Sequence, residues 1–212
     1  MIDPHSFRTF EHAGWENVLQ RYHEAWGNLT TQTIPALLDA VRAESGVKLL
    51  DIASGPGYVA AFVPQSTYVG YDVERKYIEY AQRRYSSLGT FNHGEYNRQE
   101  LKKYDPFDFV MMNGLLHHVD DATALDLLRL ARASLKPSGK VLCIDGGLHP
   151  KQNVFARYVV KEDRGKFVRS PEAYEKLAVE IFGKANVKTD LREDLFYIPY
   201  SLVIMVLEKA KA

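Results

Sequence analysis

Lys48-Leu-Leu-Asp-Ile-Ala-Ser-Gly-Pro-Gly-Tyr58 decides how this chain is read. An apolar run ends in an acid, Asp51, and a turn of small residues follows, with Gly55 and Gly57 on either side of Pro56. Glycines at a strand-to-helix turn let a ligand approach the backbone closely. Tyr58-Val-Ala-Ala-Phe62 then reads as a first helical turn, whose free N–H groups would line the floor of a pocket. Seventeen residues beyond Gly55, a second apolar run, Tyr68-Val-Gly-Tyr71, stops at Asp72. An acid at the end of a second strand is placed to accept hydrogen bonds from ribose hydroxyls. Two strands, a glycine turn and that acid point to a nucleoside site.

Gly55-x-Gly57-x-x-Ala60 also satisfies the dinucleotide fingerprint, so the nature of the nucleoside has to come from elsewhere. Asp51 stands just before the glycines, where it would welcome an ammonium or sulfonium and repel a pyrophosphate. Residues 1–45 carry helical patterns ahead of the first strand, and no second domain is expected to hold a hydride acceptor. With those features, Asp51-x-Ala53-x-Gly55-x-Gly57 resembles the first motif of the class I S-adenosylmethionine-dependent methyltransferases, and Asp72 the acid of their second. Many members carry glycine where this chain has Ala53, which narrows the room beside the ligand. The resemblance implies a three-layer, Rossmann-like α/β fold: a mostly parallel seven-stranded sheet with a C-terminal reversed hairpin and an N-terminal helical lid.

The strand and helix signals agree with that outline. Strands are expected at 47–52, 67–72, 90–94, 107–112, 140–145, 186–191 and 201–208. Helices are expected near 57–63, 74–85, 121–135 (capped by Asp120 or Asp121 and ended by Lys136-Pro-Ser-Gly139) and from Ser170-Pro171-Glu172 to Gly183. Upstream, Trp15, Val18, Leu19, Tyr22 and Trp26 recur at helical spacing up to Gly27. A second helix is expected from Thr33, with Pro35 in its first turn, to Ser45-Gly46. Residues 146–170 read as a long connection on the substrate side. The whole chain, 1–212, is expected to form one domain with 1–45 as its helical cap.

Composition narrows the partners. The chain of 212 residues is 46% hydrophobic, enough for a full core, and its net charge is +0. With no basic block there is no electrostatic pull toward nucleic acid or an anionic membrane, so a small-molecule acceptor is expected. No signal pattern or membrane-length apolar run is read, and a soluble cytoplasmic protein is expected. The single cysteine, Cys143, lies in an apolar run and reads as a buried small side chain.

What the family resemblance implies about individual residues is specific. Gly55 and Gly57 give close backbone contact with the cofactor, Asp51 faces its ammonium, and Asp72 with neighbouring Val73 takes the ribose. Glu95 stands where relatives carry an aspartate that accepts the adenine amino protons, and the backbone of Tyr96 faces the ring. Asn113 opens the segment Met112-Asn-Gly-Leu-Leu-His-His118, which lies over the methionine part of the cofactor. His117 or His118 is placed to remove a proton from the acceptor, since imidazole titrates near working pH. Trp15, Tyr22 and Trp26 belong to the lid. Plainer roles stand beside these: Asp51 and Asp72 as helix caps, the histidines as core fillers, and the aromatic stripe as ordinary core. His117, His118, His149, Asp120, Asp121 and Asp145 gather near one rim, but their spacing matches no metal motif and no metal is expected. Lys161, Arg164, Lys166 and Arg169 read as a solvated basic loop, with contact to an acidic substrate group as the alternative. The expected activity is methyl transfer from S-adenosylmethionine to a small molecule, at oxygen first. The competing reading is a non-catalytic S-adenosylmethionine-binding module that acts through a partner.

Overall fold

The structure, a computed structural model, describes residues 27–41, 46–162 and 165–210. The seven strands are β1 Lys48–Ile52, β2 Thr67–Asp72, β3 Gly89–His93, β4 Phe107–Asn113, β5 Leu135–Gly146, β6 Val187–Arg192 and β7 Leu202–Glu208. They form one sheet in the order β3-β2-β1-β4-β5-β7-β6. The first five run parallel, and β7 lies antiparallel between β5 and β6. Each expected strand is present, and the reversed hairpin closes the sheet as expected. Side chains alternate across each strand, so the sheet carries two cores. Leu50, Val110, Val141 and Val203 face one. Leu49, Tyr68, Met111 and Ile204 face the other.

Helices α1 Gly27–Val41, α2 Arg75–Tyr85, α3 Arg98–Leu101, α4 Asp121–Ser134, α5 Val154–Glu162 and α6 Pro171–Phe182 surround the sheet. Asp120, not Asp121, caps α4, its carboxylate accepting from the Thr123 N–H at 2.8 Å. Ser170 caps α6, as its position before Pro171 implied.

Three expectations are corrected. Pro35 is not in a first helical turn: α1 begins at Gly27 and contains Pro35. A helix-interior proline costs about 3 kcal/mol. Its neighbours Ile34 and Leu37 are fully buried in the second core, and burial at about 1.5–3 kcal/mol each offsets that cost. The connection after β5 is not structureless, because α5 interrupts it. Asn153 caps α5 by accepting from the Phe155 N–H at 2.8 Å, while Val154, Phe155 and Tyr158 stay exposed and break the amphipathic pattern. The turn before the fifth strand sits inside it: Leu135 pairs with Phe107 and Lys140 with Phe109, so 136–139 bulge out with Ser138 at φ 63°. Trp15, Tyr22 and Trp26, with the helix expected to carry them, lie outside the described residues. Among the described residues, no helix is long and apolar enough to cross a membrane.

Candidate active site

Strand order reverses at β1, with β2 and β3 on one side and β4 and β5 on the other. Loops leaving the C-terminal ends of β1 and β4 therefore diverge and open a crevice, the usual ligand position in such sheets. The turn after β1 is left-handed at three places: Ala53 at φ 61°, Gly55 at φ 53° and Gly57 at φ 78°. Ala53 bears steric strain there of roughly 1–2 kcal/mol, which accounts for the glycine that many resembling proteins place at this point. The two glycines do different work. A Cβ on Gly55 would meet nothing within 4 Å, and the same holds for Gly94 after β3. A Cβ on Gly57 would lie 2.6 Å from the Phe91 ring and 3.0 Å from the Ala81 methyl. Gly55 thus bares backbone toward open space, whereas Gly57 lets the turn press onto α2 and β3. At Gly57 the space that a side chain would need is taken by the fold itself.

Asp72 joins three loops. One carboxylate oxygen accepts from the Gly55 N–H and the other from the Glu74 N–H, each at 2.8 Å, and its carbonyl accepts from the Gly94 N–H at 2.8 Å. The helix cap itself is Glu74, whose side chain accepts from the Lys76 N–H. Val73 beside it is 44% exposed, at the rim. Asp51 is buried and caps nothing: one oxygen accepts from the Tyr68 hydroxyl at 2.7 Å, and the other has no hydrogen-bond partner among the described residues. Burial above all, opposed by the Tyr68 hydrogen bond and helped by the nearby charge of Asp72, pushes the Asp51 carboxyl up to about 7.

At the end of β3, Glu95 is exposed, while the Tyr96 ring turns into the core against Tyr71, its hydroxyl 3.1 Å from the Ser134 hydroxyl. Only the backbone of Tyr96 remains for the crevice. Asn113 ends β4 half-buried, and the Gly114 N–H donates to the Ile144 carbonyl at 2.7 Å.

A 3₁₀ turn, Leu116–His118, then carries both histidines. His117 is buried, with Nδ1 2.8 Å from Asp145 Oδ1 and its backbone N–H donating to the same oxygen at 3.1 Å. His118 is half-buried, its ring centroid 4.0 Å from that of His117. The basic-loop reading of Arg169 is overturned. It is buried, its guanidinium donating to the carbonyls of Leu116, Val119 and Phe167 and pairing with Asp121. Lys166 is exposed, and Arg164 and the Lys161 side chain lie outside the described residues. Asp145, Gly165 and Arg169 are the residues sequence reasoning missed. Asp145 was visible only as a rim carboxylate in an apolar strand and Arg169 only as one charge of a basic loop, and Gly165 gave no signal.

An antiparallel strand between β5 and β6 sets this sheet apart from purely parallel dinucleotide-binding ones, and residues 49–139 match the family described as "Methyltransferase domain". Over those residues, less than half of the chain, it is similar to a methyltransferase domain, a family whose cofactor is S-adenosylmethionine. No curated protein matches the sequence significantly. Among solved structures, the chain resembles 1,6-didemethyltoxoflavin-N1-methyltransferase of Burkholderia thailandensis, which holds 1,6-didemethyltoxoflavin and S-adenosylhomocysteine. That match has a TM-score of 0.72 at 15% identity and covers 100% of this chain and 92% of the other. It also resembles an O-methyltransferase family protein from the same organism, with a TM-score of 0.67, 16% identity and 94% of this chain covered. This chain spans only 62% of that protein's length. Human N-acetylserotonin methyltransferase, solved with S-adenosylmethionine, gives a TM-score of 0.64 at 15% identity, covering 93% of this chain and 60% of the other.

Proposed function

We propose that the chain methylates an oxygen of a small-molecule acceptor, with His117 taking the acceptor's proton. The observation that carries this reading is the buried contact between His117 Nδ1 and Asp145 Oδ1 at 2.8 Å. Asp145 Oδ1 already accepts a backbone N–H, so it acts as acceptor toward the ring too. The proton is thereby held on Nδ1, and Nε2 is left with the lone pair a general base needs. His118 is half-buried, with its ring stacked against that of His117. Small-molecule acceptors bound or named in the similar structures support the substrate class.

The crevice suits the cofactor on its own features: bare backbone at Gly55 and Gly94, and a buried Asp51 oxygen without a hydrogen-bond partner among the described residues. When bound, S-adenosylmethionine supplies a methyl already activated on a sulfonium. Gly55 would pass beside it, Asp51 would meet its ammonium, Asp72 with Val73 would hold its ribose, and Glu95 with the Tyr96 backbone its adenine. Asn113 would lie against the methionine part, and residues 1–28, with Trp15, Tyr22 and Trp26, would cover the cleft.

Two measurements test the cofactor half. Asp72→Ala is expected to weaken S-adenosylhomocysteine binding about ten- to a hundredfold, the loss of a charged acceptor. It should also lower the melting temperature, since the Gly55 and Glu74 N–H groups lose their partner. Calorimetry at a temperature where the variant is folded decides it: unchanged affinity would leave Asp72 as a purely structural tie.

Asp51 makes binding depend on pH. Its folded pKa, about 7, lies above the ordinary 3.8. The folded protein therefore holds a proton that the unfolded chain has lost across that window, and stability falls as pH rises through it, then levels off. An ammonium ligand favours the ionised carboxylate, so affinity is expected to rise about tenfold from roughly pH 6 to roughly pH 8. Asp51→Asn should flatten both profiles. A wild-type affinity that does not change with pH would place the ammonium elsewhere.

The acceptor half is tested by supplying labelled S-adenosylmethionine with a metabolite extract and following release of S-adenosylhomocysteine. Tight cofactor binding with no turnover above solvent hydrolysis would favour a non-catalytic binding module.

A further inference from the structure

The His117 turn contributes little to its own shape. Leu116–His118 is a short 3₁₀ turn, closed by the His118 N–H to the Leu115 carbonyl at 3.1 Å and the Val119 N–H to the Leu116 carbonyl at 3.4 Å. So short a turn leaves carbonyls that need outside donors. Those donors come from a single remote segment. Arg169 donates to the Leu116 carbonyl and to the Val119 carbonyl, each at 2.7 Å, and the Phe167 N–H donates to the His117 carbonyl at 3.0 Å. The Arg169 charge is balanced by Asp121, at the start of α4, at 2.7 Å. Arg169 is also anchored from behind, since its carbonyl accepts from the Leu148 N–H at 3.1 Å beyond the end of β5, the strand that carries Asp145. Gly165 closes the other side: a Cβ there would lie 2.1 Å from His117 Cδ2 and 2.8 Å from the His117 carbonyl oxygen.

We infer that Gly165 and Arg169 are positioning residues for methyl transfer, forming a brace that sets the His117 ring against Asp145. The inference rests on the reading of His117 as the base, and it deepens that reading. Neither residue touches the reacting atoms. Gly165 lacks a side chain because the imidazole occupies that space, and Arg169 fixes the backbone on both sides of the histidine. A planar guanidinium with five donors can hold several carbonyls and a carboxylate together, which a lysine ammonium cannot do with the same geometry.

The test uses the intact chain and needs no acceptor. Nitrogen-15 spectra of the imidazole report which ring nitrogen carries the proton. Wild type should show His117 as the Nδ1–H tautomer. In Arg169→Met the other tautomer should rise about tenfold, the effect of one lost net hydrogen bond. Arg169→Lys should lie between the two, and Gly165→Ala should shift the ring resonances by displacing the ring directly. Calorimetry with S-adenosylhomocysteine, expected within about twofold of wild type, verifies that each variant is folded with its cofactor crevice intact. If Arg169→Met does not fold, Gly165→Ala carries the test, since its added methyl acts only on the His117 side. Imidazole signals at wild-type positions in folded variants would overturn the brace. The base reading fails separately, if His117→Asn turns over acceptor at the wild-type rate, and the tautomer measurement stands whatever that result.

Discussion

Valine in place of Gly57 is expected to destabilise the protein severely and to abolish cofactor binding through the fold rather than through a clash with the ligand. Gly57 sits at φ 78°, where a side chain costs roughly 1–2 kcal/mol and a β-branched one is least tolerated. The added Cβ would lie 2.6 Å from the Phe91 ring and 3.0 Å from Ala81, both buried. Overpacking of that kind costs about 1–3 kcal/mol. Together these take about 2–5 kcal/mol from a stability of the order of 5–15 kcal/mol. For a domain of this size that is a fall of about 4–20 °C in melting temperature. Gly55→Val is the informative partner. Gly55 shares the left-handed strain, but its Cβ faces open space. It should therefore melt nearer to wild type while losing S-adenosylhomocysteine binding. Thermal melts with and without that ligand separate the two. A Gly57→Val protein that melts like wild type but does not bind would show that position 57, not 55, faces the cofactor.

His117→Asn is expected to lower kcat by about 10²–10⁴, the usual worth of a general base, while cofactor affinity stays near wild type. Asparagine is the informative substitution because its amide can still donate toward Asp145. Alanine would take one of two donors from a buried carboxylate, a loss of about 1–3 kcal/mol that would confuse stability with chemistry. His118→Asn should retain most of its turnover. Asp145→Asn should lose activity without loss of cofactor binding, because the ring would no longer be held with its proton on Nδ1. Turnover of His117→Asn at the wild-type rate, with His118→Asn inactive, would transfer the role to His118.

Much of the candidate crevice was legible in the chain because its signals are local. An apolar run ending in Asp51, the glycines that follow and the acid after the next strand lie within one β-turn-β unit, so spacing alone brings them together. All seven strands were legible for the same reason, since alternation and flanking turn residues are short-range features. The α1 boundary was not, because Pro35 argues for a helix start and only the burial of Ile34 and Leu37 in the second core overrides it.

The acceptor side was legible only in part. His117 and His118 stood out as types able to move a proton, yet nothing within a few residues of them distinguishes one from the other. That choice depends on Asp145 in β5 and on Gly165 and Arg169 beyond α5, separated from His117 by 28 residues in the first case. Arg169 reads by itself as one charge in a basic loop, since a long polar side chain is usually solvated. Only the packing of the 165–169 segment onto the histidine turn desolvates it and turns its five donors onto backbone carbonyls. The sequence by itself determined the order of the strands and the residues of the glycine turn, because those follow from periodicity and local backbone preference. The tertiary structure decided which glycine bares the backbone, which histidine meets a carboxylate and which arginine is buried, because each depends on a neighbour brought close only by the closing of the sheet.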